Sequence, residues 1–209
     1  MIPDRTATVM PAEPVALPSA VLSLRAATWP SHQRLEKRID VKSRFTTLTG
    51  YRAHMENLWG FCASIESSLA VDAFGDALPD YPSRRKLSLL AQDLEVLGLS
   101  AAAISGLPRS PDLPDLSTTA AAFGCVYVLE GASLGGRTLL PVVESRLGLV
   151  PLRGAAFLAS YGDAVSAMWV RFGAALDAWC HDGVRRKSAE NAAVATFEAL
   201  ERWLCRVPA

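Results

Sequence analysis

Cys125-Val-Tyr-Val-Leu-Glu-Gly-Ala-Ser-Leu-Gly-Gly-Arg137 is the stretch whose reading decides the fold. It lies inside an apolar pattern that predicts one long helix, from about Ser117 to Leu147. Three glycines, Gly131, Gly135 and Gly136, fall within that helix. Each costs about 1 kcal/mol relative to alanine in a helix interior. Gly131 and Gly135 are four residues apart and share a face, and Gly136 sits beside them. The pattern predicts a strip of bare backbone that a flat or bulky group can approach closely. The alternative is close helix–helix packing. Glu130, Arg137 and Glu144 interrupt the segment and argue against a membrane span.

Working outward, the 209 residues suffice for one domain with its own core. Half of them are hydrophobic and the formal net charge is zero, so no electrostatic footprint for nucleic acid is present. Cys62, Cys125, Cys180 and Cys205 form no C-x-x-C pair and are read as reduced thiols of a cytoplasmic protein. Residues 1–18 hold four prolines without a signal-peptide pattern and are expected to be a disordered tail ahead of a helical domain over 19–209. No membrane-spanning segment is expected.

The remaining periodicities predict helices over about 19–39, 49–71, 83–97, 152–160, 163–181 and 188–206. Ser83 and Asp163 are the expected N-caps of two of them, and Pro30 is expected to bend or restart the first. No period-2 run bounded by hairpin turns occurs. The fold class is therefore all-α, a single-domain bundle of about seven or eight helices.

The chain has three histidines, His32, His54 and His181. Only His32 combines several features of a ligand. Glu36 lies one turn on, on the same face, where a carboxylate can accept a hydrogen bond from one ring nitrogen and turn the other outward toward a metal. Arg25 lies two turns before, placed to meet a ligand carboxylate. One histidine plus one open backbone face is the ligation logic of a haem that binds a gas.

At these residues the sequence resembles a known family. Arg25-Ala-Ala-Thr…His32-Gln-Arg-Leu-Glu36 followed by Tyr127-Val-Leu-Glu-Gly-Ala-Ser-Leu-Gly-Gly-Arg137 is similar to the bacterial biliverdin-producing haem oxygenases, including those that accompany bacteriophytochromes. The resemblance implies a haem-oxygenase-like bundle in which His32 binds haem iron and Gly131, Gly135 and Gly136 pack on the opposite haem face. It implies Arg25 and Tyr127 as propionate partners, and it puts Ser133 within the distal motif, where it can join a water network. Animal members carry an aspartate where this chain has Ala132. Bacterial members commonly lack it, which leaves the α-helix backbone and Ser133 as candidates for ordering the distal water. The implied reaction opens haem to biliverdin with release of carbon monoxide and iron.

Phe172, with Phe45, Phe123 and Trp169, is a candidate for the apolar wall of the site, and Arg171 for a further propionate contact. Leu134-Gly-Gly-Arg137 follows no strand and is no dinucleotide fingerprint. With no flavin or nicotinamide site, electrons are expected from an external donor, a ferredoxin or a reductase, with a bacteriophytochrome as a candidate acceptor of the biliverdin. Arg34, Lys37 and Arg38 form either a docking patch for that donor or an ordinary solvated helix face. The competing readings are a haem carrier or sensor without turnover, and a helical interaction module whose glycines merely pack.

Overall fold

The computed structural model describes residues 19–70 and 72–206. The proposed tail, 1–18, lies outside them. The chain runs through α1 (Ala20–Ile39), α2 (Val41–Arg44), α3 (Leu48–Ser68), α4 (Leu87–Val96), α5 (Ala101–Ser105), α6 (Thr119–Leu147), α7 (Ala156–Ala159), α8 (Val165–Trp179) and α9 (Gly183–Leu204). Seven of these have five residues or more. Among the described residues the only β pairing is a pair of isolated bridges at Val150. None of their helices is long and apolar enough to cross a membrane.

Local chemistry sets the ends of the long helices. Thr47, Thr118 and Asp182 each accept the backbone N–H three residues on and so cap α3, α6 and α9. Gly148, at φ 67°, closes α6 in the left-handed conformation that glycine tolerates best. Pro30 and Pro141 lie inside α1 and α6 without ending them. Each proline is exposed, as is the residue four before it, Ala26 or Arg137, so water can satisfy the carbonyl that loses its partner.

Four helix starts differ from those the sequence predicts. The α9 helix begins at Gly183 and not at 188, because Asp182 caps it. At α4 and α7 the anchoring groups are not local. The α4 helix begins at Leu87, not Ser83: Glu66 of α3 accepts the backbone N–H groups of Lys86 and Leu87, and Tyr81–Arg84 forms a 3₁₀ turn. The α7 helix is only 156–159, held by Asp93 of α4, which accepts from Ala156 N at 2.7 Å and Phe157 N at 2.8 Å. Asp163 lies in a 3₁₀ turn and caps nothing, so α8 begins at Val165.

The α9 helix packs along both α1 and α6. Along α1 the pairs are Ser23 with Glu190, His32 with Phe197 and Arg38 with Glu201. Along α6 they are Thr118 with Ser188 and Gly124 with Ala189 and Ala193. Both helices thus rise in the same sense along α9. Leu24, Phe123, Phe172, Leu176 and Phe197 belong to the core among α1, α6, α8 and α9, and Phe45, Tyr51, Met55, Leu90, Leu94 and Phe157 to a second core under α3, α4 and α7. All four cysteines are free thiols, and three of them are buried.

Two buried groups of the α3–α4 side titrate in opposite directions. Burial, with Arg44 nearby, pushes His54 down to about 3. Burial pushes Asp93 up to about 6, against the pull of the Phe157 and Ala156 N–H groups. Between pH 6 and 4 the folded chain keeps a proton on Asp93 that the unfolded chain releases, so acidification stabilises the fold through Asp93. Over the same range the unfolded chain charges its histidine while folded His54 stays neutral, so acidification destabilises through His54. Each effect amounts to about 1.4 kcal/mol per pH unit, and the two offset. Asp93→Asn is expected to fall behind the wild type by about that amount per unit over the window. Denaturant melts at pH 6, 5 and 4 measure it, and parallel curves for the two proteins would remove Asp93 from the account.

Candidate active site

The site is built on two helices that share α9 as a support. On α1, Leu22, Arg25, Ala26 and Trp29 line an open cleft at the helix surface. One turn beyond, the His32 side chain is 42% exposed. Its ring stacks on Trp29, with centroids 6.0 Å apart and planes 6° off parallel, and meets Phe197 of α9 edge-on at 5.6 Å. Nδ1 is buried without a hydrogen-bond partner, which leaves Nε2 as the outward nitrogen. Glu36 stands 3.7 Å from Nδ1. That is an ion-pair spacing and not the hydrogen bond the sequence suggests.

On α6 the glycines separate into two kinds. A Cβ built on Gly131 or Gly135 meets nothing within 4 Å. One built on Gly136 falls 2.4 Å from the Leu158 carbonyl oxygen, and one on Gly124 falls 2.1 Å from that of Ala189. Gly124 and Gly136 are therefore contact glycines, against α9 and α7. Gly131 and Gly135 are the open strip. The expectation that Gly136 belongs to the strip is corrected: one residue turns the helix by about 100°, and that rotation puts Gly136 under α7.

Ser133 is corrected for the same reason. It lies roughly 200° around the helix from Gly131. It is buried and accepts a hydrogen bond at 3.0 Å from Ser160, on the side away from the strip. The hydroxyl on the open side is that of Thr138, in line with Gly131 and Gly135, where it donates to the Gly135 carbonyl at 2.8 Å. Ala132 is exposed and adds no polar group.

The two helices meet at Tyr127, one turn before Gly131. Burial raises the pKa of its phenol, while Thr28 and the Arg25 guanidinium pull it down. Thr28 and Arg25 lie one and two turns before His32, so Arg25 and Tyr127 come together at one corner. Trp169 of α8 closes that corner, 5.6 Å from Tyr127 between ring centroids. Phe172 is not at the open face. It is fully buried behind Trp169 and Phe123, with the Arg84 guanidinium over its ring, and is a core residue, as are Phe45 and Phe123.

A match over residues 19–206 to the family described as heme oxygenase decides the identification. The chain belongs to the haem oxygenase family. It is 33% identical over 114 residues to a haem oxygenase of Xanthomonas campestris pv. campestris (strain 8004). That match spans 54% of this chain and 64% of the relative, less than two thirds of the relative's length. Among solved structures, the NO- and CO-bound haem oxygenase of Neisseria meningitidis superposes with a TM-score of 0.77 at 19% identity, over 89% of this chain and 90% of that one. The haem oxygenase of Leptospira interrogans superposes with a TM-score of 0.68 at 18% identity, over 90% and 99%. At these identities the superpositions show that the all-α haem oxygenase fold is shared.

Against that fold, Arg34 and Arg38 are not a free docking patch. Both bind the buried Glu201 carboxylate, at 2.7 and 2.8 Å, and Arg34 also approaches Glu198 at 3.7 Å. Burial pushes the Glu201 carboxyl up, and the two guanidiniums outweigh it, leaving its pKa below the ordinary value. Arg171 is exposed and turns to the Met168 sulfur. Sequence reasoning missed Trp29 and Phe197 beside His32. Trp29, three residues before His32 in a helix, was legible from spacing; Phe197 comes from a distant helix and was not.

Proposed function

We propose that this member of the haem oxygenase family cleaves haem to biliverdin, releasing carbon monoxide and iron, with O₂ and electrons from outside. The observation that carries the reading is the pairing of an outward-facing histidine on α1 with open glycine backbone on α6, one turn beyond the Thr28–Tyr127 corner on each helix. These residues fit haem. His32 has one buried, unpartnered nitrogen and one facing out, and nothing lies within 4 Å of where a side chain would start at Gly131 and Gly135. Bound haem would supply the iron that activates O₂ and the ring that is oxidised.

The chain's own part is binding, orientation and exclusion. His32 would hold the iron through Nε2, with Glu36 close enough to tighten onto Nδ1. Arg25 and Tyr127 would take the propionate carboxylates by charge and hydrogen bond. Gly131 and Gly135 would let the α6 backbone crowd the opposite face, with no acidic or basic side chain on that strip to pull an O–O bond apart. Backbone carbonyls of α6 and the Thr138 hydroxyl would order water there. A ferredoxin or reductase would supply electrons, and a cytoplasmic bacteriophytochrome is a candidate acceptor for the product.

The test is a hemin titration followed by a reductant in air, with catalase present to remove free peroxide. A stoichiometric Soret band that gives way to a biliverdin spectrum is the expected result. A stable band with no decay would convert the reading to a haem carrier or sensor, and no band would end it.

A further inference from the structure

Glu130 precedes Gly131, yet its side chain is 2% exposed and faces the interior. Arg84 donates to its Oε2 at 2.6 Å. Tyr161 and Lys86 donate to its Oε1 at 2.6 and 3.1 Å. Lys86 Nζ also donates to the Tyr161 hydroxyl at 2.8 Å. Arg84 forks onto Asp80 at 2.8 Å for both bonds and donates to the Met168 carbonyl of α8 at 3.2 Å. A lysine and an arginine, both almost fully covered, thus converge on one carboxylate next to the open strip. Taking such groups out of water is costly, and apolar packing in the same place commonly stabilises as well or better. What fixed donors supply is a defined geometry for the carboxylate they hold.

That geometry is what α6 lacks on its open side. At Gly131 and Gly135 there is no side chain to key the helix against a neighbour. Its rotation must be set from the other faces. Gly136 rests on Leu158, Ser133 on Ser160, and Glu130 on the charged cluster, and Tyr161 links the cluster to the segment that follows α7. Of these, only Glu130 is held by directional, charge-assisted bonds from several segments. We propose that Arg84, Lys86 and Tyr161 are positioning residues that act through Glu130, fixing the rotation of α6 so that the Gly131–Gly135 backbone faces the haem slot. The inference rests on the haem reading of that slot.

The test uses Glu130→Gln, Lys86→Met and Lys86→Arg in the full chain, with circular dichroism to confirm helix content. In the apoprotein, amide exchange over 131–138 is expected to quicken at least tenfold in Glu130→Gln and Lys86→Met, with α3 unchanged and Lys86→Arg close to wild type. In the hemin-loaded protein, the C–O stretch of the carbon monoxide complex and the distribution of biliverdin isomers are expected to move, while the iron–histidine stretch stays. Exchange that quickens equally in all helices would reduce the cluster to a stabilising element and overturn the proposal. So would folded variants with wild-type exchange, C–O stretch and isomers. If the wild type takes up no hemin, the slot reading fails by itself, and the apoprotein exchange still decides whether the cluster holds α6.

Discussion

His32→Ala is expected to abolish histidine ligation of haem while leaving the apoprotein folded. The side chain is 42% exposed, and its ring contacts are with Trp29 and Phe197 at the edge of the core. Removing a half-exposed ring of this kind costs on the order of 1 kcal/mol or less. The other two histidines lie elsewhere: His54 is buried on α3, and His181 follows α8. The variant's Soret band should be weak and displaced, its ferrous form should lack the iron–histidine stretch, and biliverdin formation should fall at least a hundredfold. Added imidazole should restore the band, because the half-exposed ring leaves an opening to solvent beside Trp29. A histidine-type spectrum in His32→Ala without imidazole would show that another residue ligates.

How much of this was legible in the sequence follows from the range of each interaction. The long α6 helix could be read because helical periodicity is local, and so could the placing of Glu36 one turn after His32 and Arg25 two turns before it on α1. Ser133 was misread by proximity within a motif: the two-residue offset from Gly131 already turns it to the far side. Gly136 was not resolvable in that way. Its burial depends on α7, which Asp93 of α4 pins from more than sixty residues away. Glu66 sets the start of α4 in the same manner, across the loop between α3 and α4. Glu130 counted in the sequence only as a charge that interrupts an apolar segment, and Arg84 and Lys86 carried no signal there at all. Their convergence needs the packing of α3, α6, α7 and α8. Caps and charge clusters of this kind join distant segments, and a single sequence carries no spacing rule for them.

The four glycines of α6 are expected to answer one substitution in opposite ways. Gly131→Ala and Gly135→Ala place a methyl in open space, within an α-helix and at ordinary helical backbone angles. Each should stabilise the apoprotein by about 1 kcal/mol, the propensity difference between the two residues. Gly124→Ala and Gly136→Ala drive a methyl to 2.1 and 2.4 Å from a backbone carbonyl oxygen of α9 and α7. A backbone oxygen cannot swing aside as a side chain would, so the helices must separate, at a cost of about 1–3 kcal/mol that exceeds the gain in propensity. The effect on function should run the other way. A methyl at Gly131 or Gly135 narrows the open face proposed to receive a flat ligand, and Gly135→Leu would fill it. That variant should lose at least a hundredfold in biliverdin formation or shift the site of ring opening, with its melting temperature at or above the wild-type value. Melts of the four alanine variants, set beside hemin turnover of Gly135→Leu, separate the two kinds of glycine. Full turnover in Gly135→Leu would remove the open strip from the active site, whatever the melts show, since stability alone cannot tell a binding face from an unused surface.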